Sequence, residues 1–263
     1  MSYQLIHGDC LEVMPTLADK SIDAIICDLP YGTTNCHWDS VIPFEPLWAQ
    51  YKRLIKPRGA IVLFGSQPFT SALVMSNIEW FKYCWVWDKN RGNGHLVAKH
   101  RPLQQTEDIA VFSGSSHFYK PQMVKRDNPR KFNGSPTQTE IMNRQVYTVN
   151  YERCDYTERY PVNLLSFSWS NRDGYHPTQK PIDLLAYLIR TYTNEGETIL
   201  DNTMGSGSTI VAAIQEGRNA IGIERDADYF AIAQQRCLEA TYQPSLFAPQ
   251  PTQWEPVAMF GDD

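Results

Sequence analysis

A chain of 263 residues, 42% of them apolar, suffices for one α/β core carrying an insertion. No apolar run reaches the ~18 residues of a membrane helix. The start, Met1 to Ile6, also lacks the features of a secretory leader, so the sequence points to a cytoplasmic protein with no membrane partner. The net charge of −5 argues against a uniformly basic nucleic-acid binder, yet the stretch from Lys82 to Arg172 holds 14 Lys and Arg against 8 Asp and Glu, while the rest holds 10 against 21. That asymmetry predicts a local face for a polyanion on an otherwise acidic protein.

Tyr3 to His7 reads as a strand and Leu11 to Leu17 as a helix. Asp23 to Cys27 is a compact apolar run, the signature of a buried parallel strand, and it ends at Asp28. Phe44 to Ile55 has helical spacing and is stopped by Pro57-Arg58-Gly59. Ala60 to Phe64 is a second buried strand, followed by a helix over Pro68 to Asn77 and strands at Phe81 to Trp87 and Ile109 to Phe112. Residues 114–172 are polar, with scattered Pro, Gly and Asn and no sustained period. Alternation returns with a helix at Ile182 to Tyr192, a strand at Thr198 to Leu200, a helix at Ser208 to Gln215, a strand at Ala220 to Ile223 and a helix at Ala227 to Ala240. Pro244, Pro249, Pro251 and Pro256 then predict an extended tail. The pattern implies a doubly wound, mostly parallel α/β sheet of Rossmann type. It divides into a first half of the core (1–113), an inserted recognition region (114–172), a second half (173–241) and a tail (242–263).

None of the six cysteines forms a Cys-x-x-Cys pair, and Cys36-His37 has no partner pair nearby, so no metal site is expected. Chemistry concentrates instead at two strand ends. Asp201-Asn202-Thr203-Met204-Gly205-Ser206-Gly207-Ser208 follows a strand and opens a helix. Its glycines admit a ligand close to the backbone, and the helix start offers free N–H groups. The next strand ends in Glu224, placed to take the two hydroxyls of a ribose. Together they indicate an adenosine-containing cofactor, and spacing alone does not separate NAD from S-adenosyl-L-methionine (AdoMet). The turn lacks the third glycine of the dinucleotide fingerprint.

The other strand end carries Asp28-Leu29-Pro30-Tyr31. This resembles the (Asp/Asn/Ser)-Pro-Pro-(Tyr/Phe/Trp) signature of the DNA amino-methyltransferases, with Leu29 in place of the first Pro. Catalytic motif first and cofactor motif late resembles the circularly permuted β group of bacterial and phage enzymes. His7-Gly8-Asp9-Cys10, His176-Pro177-Thr178-Gln179-Lys180-Pro181, and Arg101-Pro102 with Glu107 and Phe112 resemble further segments of that group. The family pattern usually has Pro-Phe where Asn202 and Thr203 stand, so Thr203 is left out of the candidate set.

The resemblance implies AdoMet as cofactor, double-stranded DNA as substrate and adenine N6 as the methylated atom. Asp28 and the Leu29 carbonyl would each accept a hydrogen bond from the amine and Tyr31 would stack on an extruded base, with Pro30 a further member of the catalytic motif. Asp9 and Cys10 would meet the cofactor's adenine, His176 and Thr178 its methionine end, Asp201, Gly205, Ser206 and Gly207 the turn beside it, and Glu224 the ribose. Lys120, Lys125, Arg126, Arg130 and Lys131 would lie near phosphates. β-group relatives often pair, which implies a homodimer. Gln243-Pro244-Ser245-Leu246-Phe247 resembles the short peptide by which bacterial proteins dock on the replication sliding clamp. Structural roles compete at several positions: Asp9 suits a helix cap, Tyr31 a core aromatic, and His176 packing. The competing functions are a cytosine-N4 enzyme, which more often has Ser at the first motif position, an RNA or protein methyltransferase, and a DNA-binding module that has lost catalysis.

Overall fold

The computed structural model describes residues 2–32, 40–131, 137–141, 145–149, 155–168 and 179–242. Its elements in chain order begin with β1 (Tyr3–His7), α1 (Cys10–Val13), β2 (Ile22–Cys27), α2 (Phe44–Leu54), β3 (Ile55–Gly65), α3 (Phe69–Ser76), β4 (Phe81–Asn93) and β5 (Gln104–Phe112). Four strands of the middle region follow: β6 (Val124–Lys131), β7 (Thr137–Ile141), β8 (Gln145–Val149) and β9 (Asp155–Arg159). The chain closes with β10 (Leu164–Ser166), α4 (Ile182–Tyr192), β11 (Thr198–Asp201), α5 (Ser208–Gln215), β12 (Asn219–Glu224) and α6 (Ala227–Tyr242).

Eight strands form one sheet in the order β1-β12-β11-β2-β3-β5-β4-β10. All neighbours are parallel except those of β5, which is antiparallel to both β3 and β4. From the centre the chain winds outward in two directions, β11 to β12 and β2 to β3. The strand order therefore reverses between β11 and β2, where Leu200 pairs with Ile25. Ligands of doubly wound sheets bind beyond the carboxyl ends of the strands at such a point, here at Asp201 and Asp28.

Both faces of the sheet are covered, which is why its strands read as continuous apolar runs. Along β2, Ala24 and Ile26 face α4, α5 and α6, whereas Ile25 and Cys27 face α2 and α3. The amphipathic spacing of α4 buries Leu184, Leu185, Leu188, Ile189 and Tyr192. On the opposite face α2 buries Leu47, Trp48, Tyr51 and Leu54. The buried indoles are satisfied: Trp85 Nε1 donates to Tyr192 Oη at 2.6 Å, and Trp87 Nε1 to the Phe167 carbonyl at 2.8 Å.

Several boundaries move. The helix expected over Leu11 to Leu17 is a single α turn followed by a 3-10 turn at Met14–Thr16, because Pro15 cannot continue it. Pro57-Arg58-Gly59 does not separate α2 from β3; the helix ends at Leu54, and Ile55 already pairs with Ile22 ahead of a register shift. β4 runs on to Asn93 and β5 starts at Gln104, since Asp88 pairs with Thr106 and Asn93 with Gln104. These polar extensions lack the apolar signal of the buried halves. In the middle region β6 pairs with β9 and β7 with β8, both antiparallel. Leu164–Ser166, inside the stretch assigned to the insertion, is an edge strand of the main sheet paired with β4.

The turn into α5 depends on Gly207, which has φ +81°, and whose added Cβ would lie 3.0 Å from the Ala233 Cβ of α6. Left-handed backbone costs a non-glycine residue about 1–2 kcal/mol. Gly207→Ala is expected to lower the melting temperature by roughly 2–6 °C, measured by calorimetry. An unchanged transition would show that the turn relaxes freely.

Candidate active site

The carboxyl ends of β1, β12, β11 and β2 open onto a cleft of about 530 Å³, and β4 and β5 form its far wall. Asp9, Cys10, Asp201, Gly205, Ser206 and Glu224 line one end, Asp28 to Tyr31 the middle, and Trp87, Lys89, Asn93, Gln104 and Glu107 the other. Residues expected on sequence to hold a cofactor and those expected to act on a base thus share one cavity. Gly207 lies behind the turn as the N-cap residue of α5. His176 and Thr178 lie outside the described residues, as does Gln243 to Phe247.

Asp28 is the centre of a charged cluster. Its Oδ2 accepts from Lys180 Nζ at 2.6 Å, and its Oδ1 from Tyr31 Oη at 2.6 Å. Lys180, only 8% exposed, also pairs with Glu107 Oε1 at 3.0 Å. Glu107 is 6% exposed and takes Lys89 Nζ on its other oxygen at 2.8 Å. Tyr31 Oη lies 2.9 Å from Glu107 Oε1 as well, so its single proton is shared between two carboxylates. The ammonium of Lys180 sits 5.1 Å over the ring of Phe64. Two carboxylates, two ammoniums and a phenol satisfy one another in the cleft wall, with Glu107 and Lys180 buried and Asp28 still 27% exposed.

The cluster separates its two acids. Burial raises the Asp28 carboxyl, and Lys180 only partly offsets it. Burial also works to raise Glu107, but there Lys180 and Lys89 together prevail and hold it below the ordinary carboxylate range. Burial and the two carboxylates push Tyr31 well up, so it remains a phenol and a donor. Burial disfavours the Lys180 ammonium, yet Asp28 and Glu107 carry it above its ordinary value. Asp28 is therefore the more basic carboxylate and Glu107 the permanent counter-ion, a division of roles typical of reactive acid pairs.

Neighbouring contacts fix the Asp28 loop. Thr203 Oγ1 donates to the Asp28 carbonyl at 3.0 Å, tying the Asp28 loop to the glycine turn. Leu29 is 4% exposed. The Tyr31 ring packs on Phe69 with centroids 4.9 Å apart. Asp9 caps α1 by accepting from Leu11 N at 2.8 Å while also lining the cleft.

At the cofactor end Glu224 accepts from Gly205 N and Asp226 N, both at 2.8 Å. Those bonds aim the carboxylate while leaving each oxygen a lone pair for a hydroxyl. Arg236, buried on α6, donates to the Ser206 carbonyl at 2.5 Å and reaches the Ser206 and Ser208 hydroxyls at 3.0 and 3.1 Å. Asn202 Oδ1 accepts from Tyr51 Oη at 2.6 Å. Among the described residues its buried Nδ2 has no hydrogen-bond partner, and neither does Gln179 Oε1; both residues line the cleft. An orphaned donor, an orphaned acceptor and a rim of carboxylates suit a ligand with ribose hydroxyls, an amine-bearing base and a cationic centre, so the residues fit AdoMet.

Of the basic residues expected near phosphate, four share β6 and Lys120 stands apart from them. Lys120 N bonds the Thr191 carbonyl at the end of α4 remote from Lys180, which sets it away from the cleft. Lys125 and Arg126 lie on β6, where Arg126 Nε donates to the Glu158 carbonyl at 3.1 Å. Arg130 and Lys131 share that strand, and their side chains lie outside the described residues. Sequence reasoning missed Lys180, Glu107 and Lys89 as one unit, as well as Thr203 and Arg236. Lys180 and Glu107 stood within segments that carried the resemblance, but nothing in their spacing says that they touch.

A family model described as DNA methylase, of the N6/N4 class, matches residues 22–235, and the chain belongs to that family. It is a DNA methyltransferase with an α/β Rossmann-like core. The Type II methyltransferase M2.MboI of Moraxella bovis is 27% identical over 266 residues, covering 91% of this chain and 89% of the relative. M2.LlaDCHI of Lactococcus lactis subsp. cremoris is 28% identical over 268 residues, covering 90% of each. The crystal structure of the M1.HpyAVI-SAM complex matches with a TM-score of 0.58 at 25% identity, covering 89% of this chain and 98% of that one. The cytosine-N4-specific PvuII DNA methyltransferase shares the fold, with a TM-score of 0.62 at 17% identity over 90% of this chain and 86% of that one.

Asp201 provides a test of the electrostatics. It is 3% exposed, and burial, partly offset by Thr209 and Thr203 and reinforced by Asp28 and Glu224, raises it from 3.8 to about 7. The folded protein keeps a proton there that the unfolded chain has released, so this group lowers stability as pH rises from about 4 to about 7. Asp201→Asn removes that loss. Relative to the parent, the variant is expected to gain stability across this window in urea titrations. Parallel pH profiles would contradict the assignment.

Proposed function

We propose that the protein is a site-specific DNA methyltransferase of the permuted β group, acting on N6 of an adenine extruded from the duplex, with AdoMet as the methyl donor. The observation that carries this reading is the Asp28 carboxylate, held by Lys180 and Tyr31 in the same cleft as the glycine turn and Glu224. The order of motifs, with Asp28 ahead of Gly205 in the chain, supports the β-group assignment.

AdoMet supplies a methyl group activated by a sulfonium. Asp9 and Cys10 hold its adenine, Glu224 its ribose, and Asp201, Gly205, Ser206 and Gly207 the turn against which it lies. His176 and Thr178 meet its methionine end. An adenine amine is a weak nucleophile because its lone pair is delocalised into the ring. Asp28 and the Leu29 carbonyl each accept one N6–H bond, which fixes the amine and turns its lone pair toward the methyl group. Tyr31, lining the cleft and backed by Phe69, stacks against the extruded base. Asp28, the carboxyl that burial makes more basic, takes the proton that the amine loses. Thr203 keeps the Asp28 loop in register with the turn. On β6, Lys125, Arg126, Arg130 and Lys131 contribute phosphate contacts, and residues 114–172 serve as the recognition region.

Cytosine N4 presents the same kind of amine, and the carboxylate at position 28, where the family's cytosine enzymes more often carry Ser, favours adenine. Asp28→Ala is expected to lower methyl transfer to unmethylated genomic DNA by about a hundredfold or more while AdoMet still binds in calorimetry. The nucleoside made by the parent enzyme is expected to be N6-methyladenine in digested DNA. Turnover by a folded Asp28→Ala protein, or N4-methylcytosine as the sole product, would refute the reading.

A further inference from the structure

The two strands carrying Lys89 and Glu107 do not stop at the cleft. β4 runs parallel to β3 and β2, so its carboxyl end at Asn93 lies on the ligand side of the sheet, where Asn93 pairs with Gln104 of β5. Both residues line the cleft. The tip between them is an ordered turn: Val97 N bonds the Gly94 carbonyl at 3.0 Å, His100 N the Val97 carbonyl at 2.9 Å and Arg101 N the same carbonyl at 3.1 Å. Gly94, at φ +94°, supplies the left-handed residue that starts it.

The composition of this tip is distinctive. From Lys89 to Thr106 there is no Asp or Glu, while Arg91, Lys99 and Arg101 are joined by His95 and His100. All five are exposed. Leu96, at the 3-10 turn on the apex, is 101% exposed. A fully exposed leucine within a cationic loop contributes nothing to the fold's own core. It suits a partner with anionic rails and an apolar, stacked interior.

We infer that the β4–β5 tip is a DNA-contacting finger at the mouth of the cleft, with Arg91, Lys99 and Arg101 on phosphates and Leu96 as an apolar wedge beside the extruded base. Charge complementarity identifies the duplex as the occupant, and the tip's attachment to two cleft-lining residues places it at the base's point of entry. Apolar wedges of this kind unstack a base step, and phosphate contacts set register. The inference rests on the methyl-transfer reading only for the role of Leu96; the phosphate contacts stand on binding alone.

The test uses the full-length protein. Salt dependence of binding to a random-sequence DNA duplex is measured by fluorescence anisotropy for the parent and for Arg91→Ala/Lys99→Ala/Arg101→Ala. Each lost phosphate contact lowers the log–log slope by about 0.9, so the triple variant is expected to fall by roughly 2–3. Leu96→Ala is expected to keep the parent slope and AdoMet affinity, and to lower methylation of unmethylated genomic DNA about fivefold or more, as a wedge that aids unstacking requires. A slope within half a unit of the parent would overturn the phosphate contacts, and a parental methylation rate in Leu96→Ala would overturn the wedge. A parent enzyme that binds DNA with the expected slope yet transfers no methyl group would instead sink the methyl-transfer reading and leave the phosphate contacts standing.

Discussion

The buried pairing of Lys180 with Asp28 and Glu107 is the constraint on which the site depends. Burying a carboxylate at a strand end costs several kcal/mol unless a countercharge accompanies it, and among the described residues of its own loop Asp28 meets the neutral Tyr31 hydroxyl and no cation. Lys180 enters from the segment ahead of α4, on the other half of the chain. It is itself too deeply buried to stand with one partner, and Glu107 on β5 supplies the second. Lys89 on β4 then balances Glu107. One aspartate thus recruits two strands of the sheet and the segment ahead of α4, and the two sequence halves are joined at that cluster.

The same logic accounts for the asymmetry of the cleft. At the cofactor end the backbone does much of the work: Gly205 and Asp226 amides aim Glu224, and Arg236 fastens the turn through Ser206 and Ser208. At the base end the work is done by ionised side chains on β4 and β5. Thr203 bridges the two, donating to the Asp28 carbonyl from the position where the family pattern usually has an aromatic. Beside it, Asn202 accepts from Tyr51 and Cys27 through Oδ1 alone, which puts a polar cluster under the cleft floor.

Much of this was legible in the sequence, and the exceptions share a cause. β2 and β3 announced themselves because both of their faces are buried, and the glycine turn and Glu224 because local spacing encodes them. The outer halves of β4 and β5 were invisible because they carry Lys89, Gln104 and Glu107 into the cleft, so no apolar pattern marks them. Pro57-Arg58-Gly59 reads as a stop signal, yet β3 starts before it because Ile55 has Ile22 as a partner. Lys180 lay inside a segment singled out for His176 and Thr178, but its role follows from contacts with Asp28 and Glu107, and long-range pairing of charges leaves no trace in spacing. Tyr31 was placed at the site by its motif, whereas its hydroxyl bonds to two carboxylates depend on the position of β5.

The central claim is that Lys180 sets the ionisation of the carboxylate that holds the target amine. The direct measurement is the pH dependence of kcat/KM for methyl transfer in the parent and in Lys180→Met, a near-isosteric side chain without charge. Kcat/KM reports the free enzyme, in which Asp28 is faced by Lys180, Glu107 and Tyr31, with Lys89 behind Glu107 and Asp201 at the end of the neighbouring strand β11. Asp28 must be ionised to accept the amine. Loss of the ammonium that lowers it is expected to move the acid limb upward by about one pH unit or more, together with a fall in the plateau rate. An acid limb that stays in place at an undiminished rate would contradict the account.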